Sequence, residues 1–183
     1  MTHPSAISRR LEHCVEHLQA GDCEGALVDL FPAIDKTAKK RRPKAGVGAR
    51  VRGFLEDEEA LISAIGTGNV FRGILVNGIS ITDALYRFGR TSITHEGELD
   101  PRLEFNDSGK VEIGAKRWNL PSGYITGMCV AVIAAPENRS ERVGDGLTVK
   151  LFDQSLRVNE IWGDRERVRR IICDAFGRSD IFE

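Results

Sequence analysis

The chain has no long apolar run. Its longest strongly apolar stretch, Met128 to Ala135, falls far short of the roughly 20 residues a membrane helix needs, so no membrane span is expected. The amino terminus, Met1 to Ser5, lacks a basic region followed by an apolar one, which argues against export and for a cytoplasmic protein. The four cysteines (Cys14, Cys23, Cys129, Cys173) lie far apart with no C-x-x-C pair. In a chain without an export signal they read as reduced, mostly buried thiols. Internal repeats and low-complexity tracts are missing. So are a G-x-x-x-x-G-K-[ST] phosphate loop, a G-x-S-x-G elbow and a paired-carboxylate arrangement. Gly46-Val47-Gly48 and Gly66-Thr67-Gly68 are too short to cradle phosphates. Histidine is scarce as well: the chain has 4, and only His95 lies beyond residue 17.

What is present describes a globular protein. A length of 183 residues suits one well-buried core and is short for two ordinary domains. Hydrophobic residues at 41% and charged residues at 29% exclude a disordered or fibrous chain. A net charge of −1 argues against nonspecific coating of nucleic acid. The distribution of charge says more than its sum. From Lys36 to Arg52 every charged residue is basic (Lys36, Lys39, Lys40, Arg41, Arg42, Lys44, Arg50, Arg52), and Glu56 to Glu59 is wholly acidic. Two compatible readings follow. The basic block is a helix end whose cations complement the dipole, with Pro43 and Gly46 ending the helix. It is also a local attraction for phosphate, through Lys39, Lys40, Arg41 and Arg42.

The first two-fifths reads as helical. Ile7, Leu11, Val15 and Leu18 recur at helical spacing until Gly21. Asp22 then caps a second helix carrying Ala26, Leu27, Leu30, Phe31, Ile34 and Ala38, which Pro32 is expected to disturb. Val47, Val51, Phe54 and Leu55 predict a third helix, continued or followed by another over Ala60 to Ile65. Phe71 to Val76 fits helix or strand. Ser80 or Thr82 can cap a helix that places Ile81, Leu85 and Phe88 on one face. Beyond Gly97 the period changes to two: Leu103 and Phe105, a turn at Asn106 to Gly109, then Val111 and Ile113 predict a β-hairpin. Ser122 is the expected cap of an apolar helix to about Ala135, stopped by Pro136. Leu147, Val149 and Leu151 suggest a third strand. A last helix from about Asp164 to Phe176 buries Val168, Ile171, Ile172 and Ala175. The expectation is a mainly α protein, one domain, with a small antiparallel hairpin or three-strand insertion near residues 102–114 and a strand–helix segment at 147–177.

The chemistry-bearing segment is Arg90-Thr91-Ser92-Ile93-Thr94-His95. Arginine is a permanent cation that binds phosphate oxygens, and imidazole exchanges protons near neutrality. On one straight helix, residues five apart are rotated by about 140° and separated by about 7.5 Å along the axis. They converge only across a helix end or bend, expected here at or beyond the end of the Ser80 helix, or when a second copy lies alongside. The other constellation weighed is His13 and His17 on the first helix, with Cys14 and Cys23 nearby. Two histidines at i, i+4 can share a metal, but Cys14 points elsewhere and no second ligand pair is evident. No metal or cofactor is therefore expected.

The segment Leu85 to His95, late in a helical chain, resembles the signature of the HEPN superfamily, in which R-x(4–6)-H marks metal-independent ribonucleases and related prokaryotic proteins. The resemblance covers about residues 5 to 135. It implies a HEPN-like helical bundle, a homodimer with both motifs lining one groove, and RNA cleavage by a ribose 2′-hydroxyl. Arg90 and His95 would be catalytic, Arg87 would bind phosphate, and Thr91 and Glu96 would support them. A role in phage defence or as a toxin, restrained by an antitoxin or sensor partner, belongs to the same implication. A non-catalytic binding or assembly module of that fold is the alternative. A metal-binding regulator built on the first helix is a third reading.

Overall fold

A computed structural model describes residues 4–183; Met1 to His3, part of the stretch read for an export signal, lie outside them. Helix α1 (Ala6–Gln19) starts at Ser5, whose hydroxyl accepts from the amides of Ile7 and Ser8. It buries Ile7, Leu11, Cys14 and Val15, the stripe its period predicts. Asp22 caps α2 (Cys23–Arg41) by accepting from the Gly25 amide. Pro32 sits inside α2 without ending it. Proline removes the donor that would reach the carbonyl four residues back, at Val28, and Val28 is 40% exposed, so water can take that place.

The acidic run divides the next helical stretch into α3 (Val47–Asp57) and α4 (Glu59–Thr67), joined at Glu58. Glu58 is buried and takes Arg41 of α2 at 2.9 Å together with Arg165. A paired buried carboxylate thus ties three parts of the chain to one point. Helix α7 (Gly123–Ala134) is the central element, buried along nearly its whole length. Its glycines admit α4: a Cβ on Gly127 would lie 2.6 Å from the Ile62 carbonyl oxygen, and one on Gly123 2.8 Å from that of Gly66. The Ser122 hydroxyl does not cap α7 as expected; it donates to Asp107 at 2.7 Å. Asp164 caps the last helix, α8 (Arg165–Phe176), which buries Val168, Ile171 and Ile172 but leaves Ala175 exposed.

The β elements depart most from expectation. Leu75–Val76 (β1) and Ile79–Ser80 (β2) form a short hairpin about Asn77-Gly78, both at positive φ. The strands at Leu103–Asn106 (β3) and Glu112–Gly114 (β4) do not pair with each other. Arg117–Pro121 (β5) lies between them, parallel to β3 and antiparallel to β4. The expected turn is real, since Asn106 Oδ1 accepts from the amide and hydroxyl of Ser108. However, β5 buries Trp118 and Leu120 on one face and Asn119 on the other, and burial on both faces favours the middle of a sheet. Thr148–Leu151 (β6) pairs with Gln154–Arg157 (β7) in a separate hairpin instead of adding to that sheet. The protein is mainly α, carrying one mixed three-stranded sheet and two hairpins. No helix among the described residues is long and apolar enough to cross a membrane.

Candidate functional site

The motif lies within a helical run and not beyond its end, with His95 in the last turn. The Ser80 hydroxyl accepts from the Asp83 amide to start α5 (Ile81–Ala84), and Ile81, Leu85 and Phe88 are buried as one face. From Leu85 to Thr91 the run widens into a π-helical segment, then returns to α geometry as α6 (Ser92–Glu96). Gly97, at φ +83°, ends it. Gly89 allows the segment to lie against α2, because a Cβ there would stand 2.9 Å from the Phe31 ring. The Thr91 hydroxyl donates to the Tyr86 carbonyl at 3.1 Å, five residues back, the same reach as a π-helical backbone bond.

That arrangement answers the geometric question. The widened part ends at Thr91, and beyond it the Thr94 hydroxyl donates to the Arg90 carbonyl at 2.8 Å, an α-type spacing. Arg90 and His95 therefore stay rotated by about 140° on one chain. No helix end falls between them, although the return from π to α geometry does. Their Cβ directions therefore diverge along the run.

Each candidate side chain has a definite environment. His95 is exposed, and neither ring nitrogen has a hydrogen bond or ion pair among the described residues. Arg90 is half-buried and free of ion pairs among them, with its guanidinium 5.9 Å from the Tyr86 ring centroid. Arg52 from α3 lies over the same ring at 4.4 Å. Asp83 takes Arg87 at 2.9 Å and Arg52 at 4.0 Å. Two guanidiniums thus lie over one tyrosine, and Asp83 links a third, that of Arg87, to Arg52, a surface suited to anions. Arg52 was not singled out from the basic run, because its partner Tyr86 is distant in sequence and only packing joins them. Glu96 is exposed and makes no bond to His95, so the orienting role expected of it is not seen. The Thr91 hydroxyl is engaged with its own helix and makes no bond to Arg90 or His95 among the described residues.

The basic end of α2 behaves differently. Lys40 is held by Glu141 at 3.1 Å and Asn138 at 3.0 Å. Arg41 bonds Glu137, Asp57 and Glu58, and Arg42 bonds Asp57. Burial alone would lower the Arg41 pKa, but these carboxylates raise it above the ordinary value. Lys40, Arg41 and Arg42 would have to leave these partners to take phosphate, whereas Lys39 is exposed and unpaired among the described residues. Phe31 is where α2 meets the motif, and Lys39 lies eight residues on, about 12 Å along the axis. The basic end of α2 does not join the Arg90 patch; Arg52, later in the same basic run, does. On α1, His17 Nδ1 stands 2.8 Å from Asp22, and both His13 and His17 lie within 4.0 Å of Asp29. Among the described residues no group of three or more His, Cys, Asp and Glu is arranged to hold a metal ion. Cys14 and Cys129 are buried, Cys23 and Cys173 half-buried, and all four are free thiols.

These features define a mainly helical protein with a guanidinium-rich patch and an exposed histidine on one helical run. The chain belongs to the Rv1289 family, whose model matches residues 6–180. It is similar to the uncharacterized protein Mb1320 of Mycobacterium bovis and the uncharacterized protein Rv1289 of Mycobacterium tuberculosis. Each is 26% identical over 164 residues, covering 80% of this chain and 78% of the relative. No solved structure matches.

Proposed function

We propose that this chain is the subunit of a dimeric, HEPN-like endoribonuclease in which Arg90 of one copy faces His95 of the other. The observation that carries the reading is the availability of both groups among the described residues: an exposed imidazole without partners and an arginine without an ion pair, on one helical run. A twofold dimer removes the 140° divergence, because a symmetric interface juxtaposes each motif with its copy.

The chemistry needs no further group. One histidine accepts the proton of a ribose 2′-hydroxyl as that oxygen attacks the adjacent phosphorus. Arg90 stabilises the charge gathering on the non-bridging oxygens. The 5′-oxygen leaves, taking a proton from solvent, and a 2′,3′-cyclic phosphate remains, so each site needs one arginine and one histidine. Arg52 and Arg87 hold neighbouring phosphates. DNA is not cleaved, since it lacks the attacking hydroxyl. A partner that restrains the activity, such as an antitoxin or sensor, is part of this reading. A non-catalytic binding module is the second reading, favoured by the divergence of Arg90 and His95 within one copy.

Incubation of purified protein with RNA in EDTA decides between them. Cleavage leaving 2′,3′-cyclic ends, abolished in a folded His95→Ala variant, supports the ribonuclease. Cleavage that survives His95→Ala removes the site. An inert but dimeric protein favours the binding module.

A further inference from the structure

A second binding site lies away from the motif, on the seam between α1 and the carboxy-terminal half of α2. A cavity of about 460 Å³ opens there, floored by Ala6 and Ile7, with Pro43 and the lysines Lys36, Lys39 and Lys40 around it. Ile7 is almost fully buried, so the floor is fixed core rather than loose surface. Along the same seam a smaller hollow of about 380 Å³ shares Ala6 and Lys36 and adds Arg9, Arg10, His13 and Pro32.

The charges of this groove are unequal in their freedom. Lys40 is bound to Glu141, and Arg10 to Asp29 at 2.5 Å. Glu141 also accepts from the hydroxyls of Ser5 and Ser8, so its negative charge is already matched by three donors. Lys36 and Lys39 have no ion pair or hydrogen bond among the described residues. They differ in this from Lys40, Arg41, Arg42, Arg50 and Arg52 of the same basic run, each of which has an acidic partner. Lysine places a charged tip on an aliphatic stem, so Lys36 and Lys39 can line an apolar wall and still present ammonium groups at its rim. A cavity of this size, apolar with a few placed charges, has the composition of a small-molecule site.

We propose that the α1–α2 groove binds a small organic anion with an aliphatic body, its chain on Ala6, Ile7 and Pro43 and its carboxylate or phosphate on Lys36 and Lys39. The head group and the body are both required. An anion without a body would meet only two solvated lysines, and a body without charge would leave the excess positive field unmatched.

Calorimetric titration of the full chain with decanoate, decyl phosphate, inorganic phosphate and decanol tests this. One-to-one binding of decanoate or decyl phosphate is expected, with shifts of the Ile7 methyl resonances. Affinity should fall by about tenfold or more in the Lys36→Glu, Lys39→Glu double variant at unchanged melting temperature, while Lys44→Glu binds as wild type. A preference for decyl phosphate assigns phosphate monoesters, and one for decanoate assigns carboxylates; either supports the site. Inorganic phosphate binding as tightly as decyl phosphate, wild-type affinity in the double variant, or no binding by either amphiphile overturns it. RNA cleavage does not enter this measurement, so its outcome is separate from that of the Arg90–His95 reading.

Discussion

The Thr91 hydroxyl donates to the backbone carbonyl of Tyr86, five residues earlier, at 3.1 Å. Widening a helix leaves carbonyls poorly matched to α-spaced donors, and this side chain supplies one. Thr91→Val keeps the shape and removes the donor, so it should destabilise the protein by about 1 kcal/mol, while Thr91→Ser should lose less. Urea denaturation measures both. A valine variant as stable as wild type would mean that the hydroxyl does not hold the segment.

Mixed dimers test whether the site is shared. When Arg90→Ala and His95→Ala chains are mixed and allowed to exchange, half the dimers carry one intact site and the parental dimers none. Activity should then recover to about a quarter of wild type for a twofold enzyme. No recovery, with exchange verified by mass, would show that the pair does not act across copies.

Stability should decline in acid through Glu137 and Glu141. Burial pushes both carboxyls up, but Arg41 on Glu137, and Ser5, Ser8 and Lys40 on Glu141, outweigh it and hold both below their ordinary value of 4.5. A lowered folded pKa means that stability from these groups is present above that value and lost as pH falls through the folded one. Glu58 runs the other way: burial, only partly offset by Arg165 and Arg41, raises its pKa, so its protonation favours the folded state. Glu141→Gln should therefore unfold more readily at neutral pH and show a flatter stability profile below about pH 4.5. Denaturation midpoints across pH 3–7 check this, and an unchanged slope would count against it.

Close packing of α4 on α7 makes Gly127 intolerant of a side chain. A methyl there meets the Ile62 carbonyl at 2.6 Å, and backbone has to move. Gly127→Ala should cost about 1–3 kcal/mol despite the better helix propensity of alanine. Thermal and chemical unfolding would reveal the opposite result as stabilisation.

Legibility followed the range of the interactions. The helices at Ala6–Gln19, Cys23–Arg41 and Arg165–Phe176 and the caps at Asp22 and Ser80 are local, and period and cap chemistry disclosed them. Ser122 misled because its hydroxyl found Asp107 instead of its own helix. The strand at Arg117–Pro121 was hidden for a similar reason: its place between β3 and β4 comes from the burial of Trp118 and Leu120 against distant core.

The motif divides in the same way. By itself the sequence determined that an arginine and a histidine stand five positions apart, and that the chain is mainly α. Only the tertiary structure decided that the run widens at Leu85–Thr91, that Arg52 joins Arg90 over Tyr86, and that Arg41 and Arg42 are tied to carboxylates. Spacing along a helix follows from backbone geometry, which each stretch of chain carries with it. Which charges remain free depends on partners brought from elsewhere, and those are chosen when the core packs.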